Sequence, residues 1–232
     1  MVPLIQNIIR PMFRIPVIVS EAIINFFIPP VKYYSNDYES MLRPLKDNFN
    51  AIQKEVLDYV SSFEMKNFED IIPGNNNIPS FKGAFKIAPL KAFEVYFEKP
   101  LSKCPVLYRV LREIKTIKVI TISKLAPHSA IKPHFGSFGG YIRTHLGIKI
   151  PEGDTALIVG GEKRKWGEGE FLFFNDRQYH TAYNNTDEER IIFLIDMVRP
   201  LPFPLNILNN AVAWLISRSP FFRQIIKNAD AD

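Results

Sequence analysis

Apolar residues recur at three- and four-residue steps across 38–63. Leu45, Phe49, Ile52, Val56, Val60 and Phe63 fall on one face, and Pro44 suits a first helical turn. The spacing predicts a helix. A second is predicted over 105–114, with Val106, Leu107, Val110, Leu111 and Ile114 on its apolar side. Between them, 66–82 is loop-like: Pro73-Gly74-Asn75-Asn76-Asn77 has turn chemistry and no period. The aromatic-rich stretch 85–97 is ambiguous.

After Lys115 the period shortens. Residues 117–123 are β-branched and alternate, and 141–150, 155–160, 170–174, 179–183 and 190–198 are short strand-like runs. Gly139-Gly140, Pro151-Glu152-Gly153-Asp154, Gly160-Gly161, Gly167-Glu168-Gly169 and Asn184-Asn185 separate them. Short strands at close spacing predict a sandwich or barrel. Four segments follow: an apolar stretch 1–37, a helical flank 38–115, a β core 116–200 and an apolar then basic tail 201–232.

Both ends are unusual. The first 31 residues are mostly apolar, but Arg10, Arg14, Glu21 and several prolines break them up, so no run reaches the roughly 18 apolar residues of a spanning helix. Glu21 also makes a secretory signal a poor match. Residues 200–217 carry no charge; Arg218, Arg223 and Lys227 follow. Either the ends pack on the core, or they lie in a membrane interface with side chains in lipid and arginines at headgroups.

Composition adds little. At 232 residues one sizeable core is expected, and the apolar and charged fractions are those of a globular protein. The single cysteine, Cys104, excludes an intramolecular disulfide and a cysteine-rich metal cluster, and fits a reducing compartment. Net charge is +5, with Lys163-Arg164-Lys165 the one dense basic run. No aromatic stacking pattern accompanies it, so it reads as a solvated turn, and nucleic acid is not an expected partner. A cytoplasmic location is expected, peripheral to a membrane if the ends bind one.

All four histidines, His128, His134, His145 and His180, lie in the strand-rich part. Arg143 and His145 are two apart, so they share a strand face, with Ile142, Thr144 and Leu146 opposite. His180 and Arg190 flank Asn184-Asn185-Thr186; a hairpin tip there would set them opposite one another. Apolar Ile191, Phe193 and Ile195 then face a core. Imidazoles suit a non-haem iron centre with open positions, and an arginine suits a carboxylate tail because its fork binds bidentately.

From about Lys118 to Pro200 the chain resembles the aspartyl/asparaginyl β-hydroxylase family, which includes lipid A acyl-chain 2-hydroxylases. The shared elements are Pro133-His134-Phe135-Gly136, Arg143-Thr144-His145-Leu146-Gly147, Trp166-Gly167-Glu168-Gly169, Phe174-Asn175-Asp176, Tyr179-His180, Arg190 and Asp196-Met197-Val198-Arg199-Pro200. The resemblance implies a mainly β fold with helical flanks: a double-stranded β-helix (jelly-roll, cupin-like) core with N-terminal helices. It implies His134 and His180 as ligands to iron(II), with 2-oxoglutarate and O₂ as cosubstrates and ascorbate as a reductant in assays. Arg190 matches the partner of the distal 2-oxoglutarate carboxylate, with Ser123 supplying a helping hydroxyl. His145 matches a cosubstrate contact, and Arg143 a contact to a substrate or cosubstrate carboxylate. Gly136 stands where other such oxygenases carry an acidic ligand; the protein-hydroxylase branch also lacks that acid. Asn175 replaces a common acid, Asp176 reads as a supporting or turn residue, Trp166 as a core aromatic, and His128 as a loop residue matching nothing.

The leading expectation is β-hydroxylation of peptidyl Asp or Asn. Hydroxylation of a lipid acyl chain is the alternative, favoured by the layout of helix, core and apolar–basic tail. A non-catalytic cupin-like module at a membrane surface is the third reading.

Overall fold

The computed structural model describes residues 2–72, 79–136 and 138–230, and side chains from Arg14 onward. The Pro73–Asn77 turn lies outside the described residues. Helix α1 (Val2–Phe27) opens the chain, followed by a 3-10 turn (Asn36–Leu42), α2 (Arg43–Asp47) and α3 (Phe49–Ser62). Then come β1 (Lys66–Asn67), α4 (Phe68–Ile71), β2 (Phe85–Ala92), β3 (Val95–Tyr96), α5 (Glu98–Leu101) and α6 (Pro105–Glu113). The core strands are β4 (Ile117–Leu125), β5 (Ser129–His134), β6 (Tyr141–Lys149), β7 (Thr155–Val159), β8 (Glu162–Arg164), β9 (Phe171–Phe174), β10 (His180–Asn184) and β11 (Arg190–Val198). Helices α7 (Leu205–Ser217) and α8 (Pro220–Asp230) end it.

The strands form two antiparallel sheets. In the larger the order is β1-β2-β4-β11-β6-β9, with β3 on β2; in the smaller it is β5-β10-β7-β8. The chain switches repeatedly between sheets, which is the wiring of a jelly roll. The single helix expected over 38–63 breaks at Asn48, whose side-chain amide bonds the Pro44 carbonyl at 2.9 Å. The ambiguous stretch 85–97 is β2 and β3, so the larger sheet draws strands from the flank read as helical.

Alternation decides what each face of the larger sheet does. Ile120, Ile122, Ile142, Leu146, Ile191, Phe193 and Ile195 point outward and pack under α2, α3 and α6 with Leu45, Ile52, Val56, Leu107 and Leu111. Each fully buried side chain of this size contributes about 1.5–3 kcal/mol. Glu55 on α3 accepts from the Val106 and Leu107 amides at 2.8 and 3.0 Å, satisfying donors that open α6. The opposite face turns toward the smaller sheet. Leu125, Phe174 and Ile192 meet Ile131, Leu157, Val159 and Ala182 there. That inner space holds the polar cluster described next.

Candidate active site

Residues of one parity line the inner face of the larger sheet. β11 pairs Ile192 with Ser123 and Gly147, Leu194 with His145, and Asp196 with Arg143, while Arg190 pairs with Leu125. Directly paired residues point the same way. Ser123, Arg143, His145, Arg190 and Asp196 therefore share one surface. Across the gap, β10 sets His180 opposite His134 on β5.

The two imidazoles converge, with ring centroids 4.1 Å apart. His134 Nδ1 lies 2.7 Å from the Lys132 carbonyl, and His180 Nδ1 lies 2.8 Å from that of Gln178. A carbonyl only accepts, so each neutral ring carries its proton on Nδ1 and keeps a lone pair on Nε2. Burial, then the neighbouring His180 ring, holds His134 down to about 4, and burial lowers His180 too. Both are neutral at physiological pH. Backbone-anchored Nδ1 with open Nε2 is how protein imidazoles face a metal.

His145 has the opposite tautomer. The Trp166 indole Nε1, which can only donate, lies 3.2 Å from His145 Nδ1. The His145 proton therefore sits on Nε2. Burial first, then Arg190 and Arg143, keeps this ring well below its usual pKa. His145 is thus a neutral hydrogen-bond donor.

Arg190 is 1% exposed, with its guanidinium 4.9 Å over the Trp166 ring. Its Nε and Nη2 have no hydrogen-bond partner. Burial pulls its pKa down to about 9, so it remains a cation at neutral pH. A buried guanidinium without a counter-ion is costly, and an anion relieves the cost.

The third side of the histidine pair is closed by Asp176. Its Oδ1 lies 3.3 Å from His180 Nε2, and its Oδ2 lies 3.1 Å from Arg143 Nη2. Arg143 is clamped in turn by Asp196, Nε to Oδ1 and Nη2 to Oδ2. Burial works against the Arg143 charge, but Asp176 and Asp196 hold its pKa above the usual value. A Cβ on Gly136 would fall 1.6 Å from Asp176 Oδ2. The carboxylate of Asp176 fills the space a side chain at 136 would need. Among the described residues no three His, Cys, Asp or Glu side chains are arranged as a complete metal-ligand set.

The structure brings all six sequence-derived site residues to this inner space, with corrections. β10 and β11 do not form a hairpin. They belong to different sheets, so His180 and Arg190 face the cavity from opposite walls. Asn184 makes this crossing: its Nδ2 donates to the Ala126 and Glu188 carbonyls at 3.1 and 2.7 Å. Arg143 pairs with two carboxylates of the chain itself, Asp176 and Asp196. Trp166 is buried but also walls the site. Asn175 Oδ1 caps its turn by accepting from the Arg177 amide at 3.0 Å. His128 is exposed and paired with Asp187. Sequence reasoning gave Asp176 only a supporting part. The signal was its place four residues before His180 in a chain with no acid at 136.

These two facing antiparallel sheets, with a histidine pair between them, make a cupin-like jelly roll. The chain belongs to the aspartyl/asparaginyl β-hydroxylase family, whose pattern matches residues 46–200. It is 29% identical over 167 residues to the ornithine lipid ester-linked acyl 2-hydroxylase of Rhizobium tropici, covering 71% of this chain and 59% of that one. It is 31% identical over 186 residues to aspartate beta-hydroxylase domain-containing protein 2 of Mus musculus, covering 75% and 52%. The chain thus spans little more than half the length of these relatives. Among solved structures, a predicted oxalate decarboxylase from Thermotoga maritima aligns with TM-score 0.39 and 12% identity, over 61% of this chain and 97% of that one.

Proposed function

We propose that this chain is an iron(II)- and 2-oxoglutarate-dependent dioxygenase that hydroxylates a C–H bond in the acyl chain of a lipid. The observation carrying the cofactor reading is Arg190: a buried guanidinium with two unpartnered nitrogens, on the wall facing two imidazoles whose Nε2 atoms carry lone pairs. A dicarboxylate fits this donor set, one end toward Arg190 and Ser123, the other toward the metal position. Bound iron(II), with 2-oxoglutarate and O₂, supplies the oxidising power, and the balance is C–H + 2-oxoglutarate + O₂ to C–OH + succinate + CO₂.

The residues of the chain hold and orient. His134 and His180 hold the metal through Nε2. Arg190 neutralises the distal carboxylate and Ser123 offers it a hydroxyl. His145 donates from Nε2–H to a cosubstrate oxygen, with Trp166 fixing the tautomer. Arg143 and Asp196 keep the Asp176 carboxylate beside His180, where it accepts hydrogen bonds from water or substrate.

The lipid reading is supported by the acyl 2-hydroxylase activity for which the Rhizobium tropici relative is named and by the rim of the site. Phe135 and Tyr179, each adjacent to a ligand histidine, are 59% and 53% exposed with ring centroids 5.0 Å apart. Such a rim suits an apolar chain better than an Asp or Asn side chain. Peptidyl Asp or Asn hydroxylation is the second reading, supported by the description of the family itself.

The test is incubation with iron(II), ascorbate, 2-oxoglutarate and O₂, supplying membrane lipids or Asp- and Asn-containing peptides. Gain of one oxygen atom on an acyl chain, with matching succinate, is expected. Gain on peptides alone would replace the lipid reading with the second. Neither product nor succinate would leave the non-catalytic module.

A further inference from the structure

Helix α1 is apolar on its outer side as well as its inner one. Its buried positions include Ser20 and Ile24, and half-buried Glu21 faces the same side. Its outward face is Ile15, Ile18, Val19, Ile23 and Phe26, with Phe26 81% exposed. A helix of a water-facing surface turns a polar face outward. Helix α7 packs against α1 and, while burying Leu205, Val212 and Ala213, leaves Ile207 and Trp214 outward at 58% and 55% exposure. Scattered apolar residues are ordinary, but two packed helices with apolar outer faces mark a contact surface.

Charge identifies what covers it. No acidic side chain is exposed between Arg14 and Phe27. Exposed Arg14 lies on α1 and exposed Arg218 follows α7, with its guanidinium 4.0 Å over the Trp214 ring. Apolar faces edged by arginine and tryptophan suit the boundary between acyl chains and anionic headgroups. No described helix is long and apolar enough to cross a membrane. We propose that the outer faces of α1 and α7 lie in the interface of an anionic lipid bilayer.

The inner face of α1 reaches the site. Glu21 accepts from the Gly139 amide at 2.6 Å and pairs with Arg177 at 3.1 Å, and Arg177 donates to the Gly136 carbonyl at 2.8 Å. Gly136 lies two residues after His134, and Arg177 three before His180. One helix therefore presents apolar side chains outward while Glu21 holds Gly139, after His134, and Arg177, before His180. Docking α1 fixes the height of the site above the bilayer. This holds whichever C–H bond is oxidised.

Flotation of the full chain with phosphatidylcholine vesicles, with and without phosphatidylglycerol, tests this. Binding is expected, stronger with phosphatidylglycerol. Trp214 fluorescence in the unaltered protein should be quenched by brominated acyl chains, since Trp166 is buried. Ile18→Asp and Trp214→Ser should each lower partitioning about tenfold or more, because each removes a large apolar side chain from lipid. Arg218→Glu should weaken binding only to anionic vesicles. Absence of flotation and of quenching would overturn the proposal. So would unchanged flotation of folded Ile18→Asp, or an effect of these substitutions confined to a monomer–dimer equilibrium in sedimentation.

Discussion

Trp166 Nε1 and His145 Nδ1 lie 3.2 Å apart, and this one hydrogen bond decides which way His145 points its proton. His134 and His180 are fixed by carbonyls in the opposite tautomer. Three histidines on one inner surface thus have two tautomers: two with a lone pair on Nε2 and one with an Nε2–H. Trp166→Phe removes the donor and lets the ring take either tautomer. The KM for 2-oxoglutarate should rise about tenfold, the cost of one buried hydrogen bond, with a smaller change in kcat. Steady-state kinetics check this; an unchanged KM would separate His145 from the cosubstrate.

Arg190 should show opposite effects on binding and on stability. Arg190→Met removes a buried charge with two unpartnered nitrogens, so the protein without cosubstrate should become more stable, by about 1–4 kcal/mol. The same substitution should weaken 2-oxoglutarate binding by about a hundredfold or more, because a carboxylate loses its partner. Thermal melting with and without the diacid measures both. Stabilisation by 2-oxoglutarate should be large in the native chain and nearly absent in the variant.

Gly136 and Asp176 compete for one space. Gly136→Asp, which would write an acidic ligand into the usual position, places its Cβ 1.6 Å from Asp176 Oδ2. It should lower iron(II) affinity and melting temperature rather than complete a triad. Asp176→Ala should lower metal affinity about 10–100-fold by removing a carboxylate beside His180. Joining Gly136→Asp to Asp176→Ala should recover part of both losses. Calorimetric metal titration of the three variants checks the order.

Cys104 is fully buried, and burial, then the nearby Glu55 charge, pushes its thiol up to about 12. At pH 8 its thiolate fraction is about a thousandfold below that of a free cysteine. Iodoacetamide should therefore leave the folded protein unlabelled and modify it only on unfolding, as mass spectrometry can follow. Rapid labelling of native protein would show that the α3–α6 layer opens.

Arg143 and His145 were legible because a two-residue step on a strand fixes a shared face, and β6 keeps that face throughout. The outward set Ile191, Phe193 and Ile195 followed for the same reason. The strand carrying His134 was not visible as one. Ser129-Ala130-Ile131-Lys132-Pro133-His134 is short and ends in Pro-His, and its pairing depends on β10, fifty residues away. The supposed hairpin at Asn184-Asn185-Thr186 failed on similar grounds. Turn chemistry reports a reversal or a corner alike, and only the partners of β10 and β11 tell that the chain changes sheets there. Asp176 was underweighted because its importance comes from empty space over Gly136, which no one-dimensional pattern records. The outward apolar face of α1 has the same character: the sequence displays the residues, but which side the core covers is a tertiary fact.

The convergence of His134, His180 and Arg190 on one bound complex can be tested by anaerobic spectroscopy. Iron(II) and 2-oxoglutarate are added together and singly, and the visible charge-transfer absorption of the chelate is recorded. A band requiring both additions is expected, absent in the His134→Ala/His180→Ala double variant and needing far more 2-oxoglutarate in Arg190→Met. No band at saturating concentrations, or the same band in the double variant, would contradict the assignment of this site.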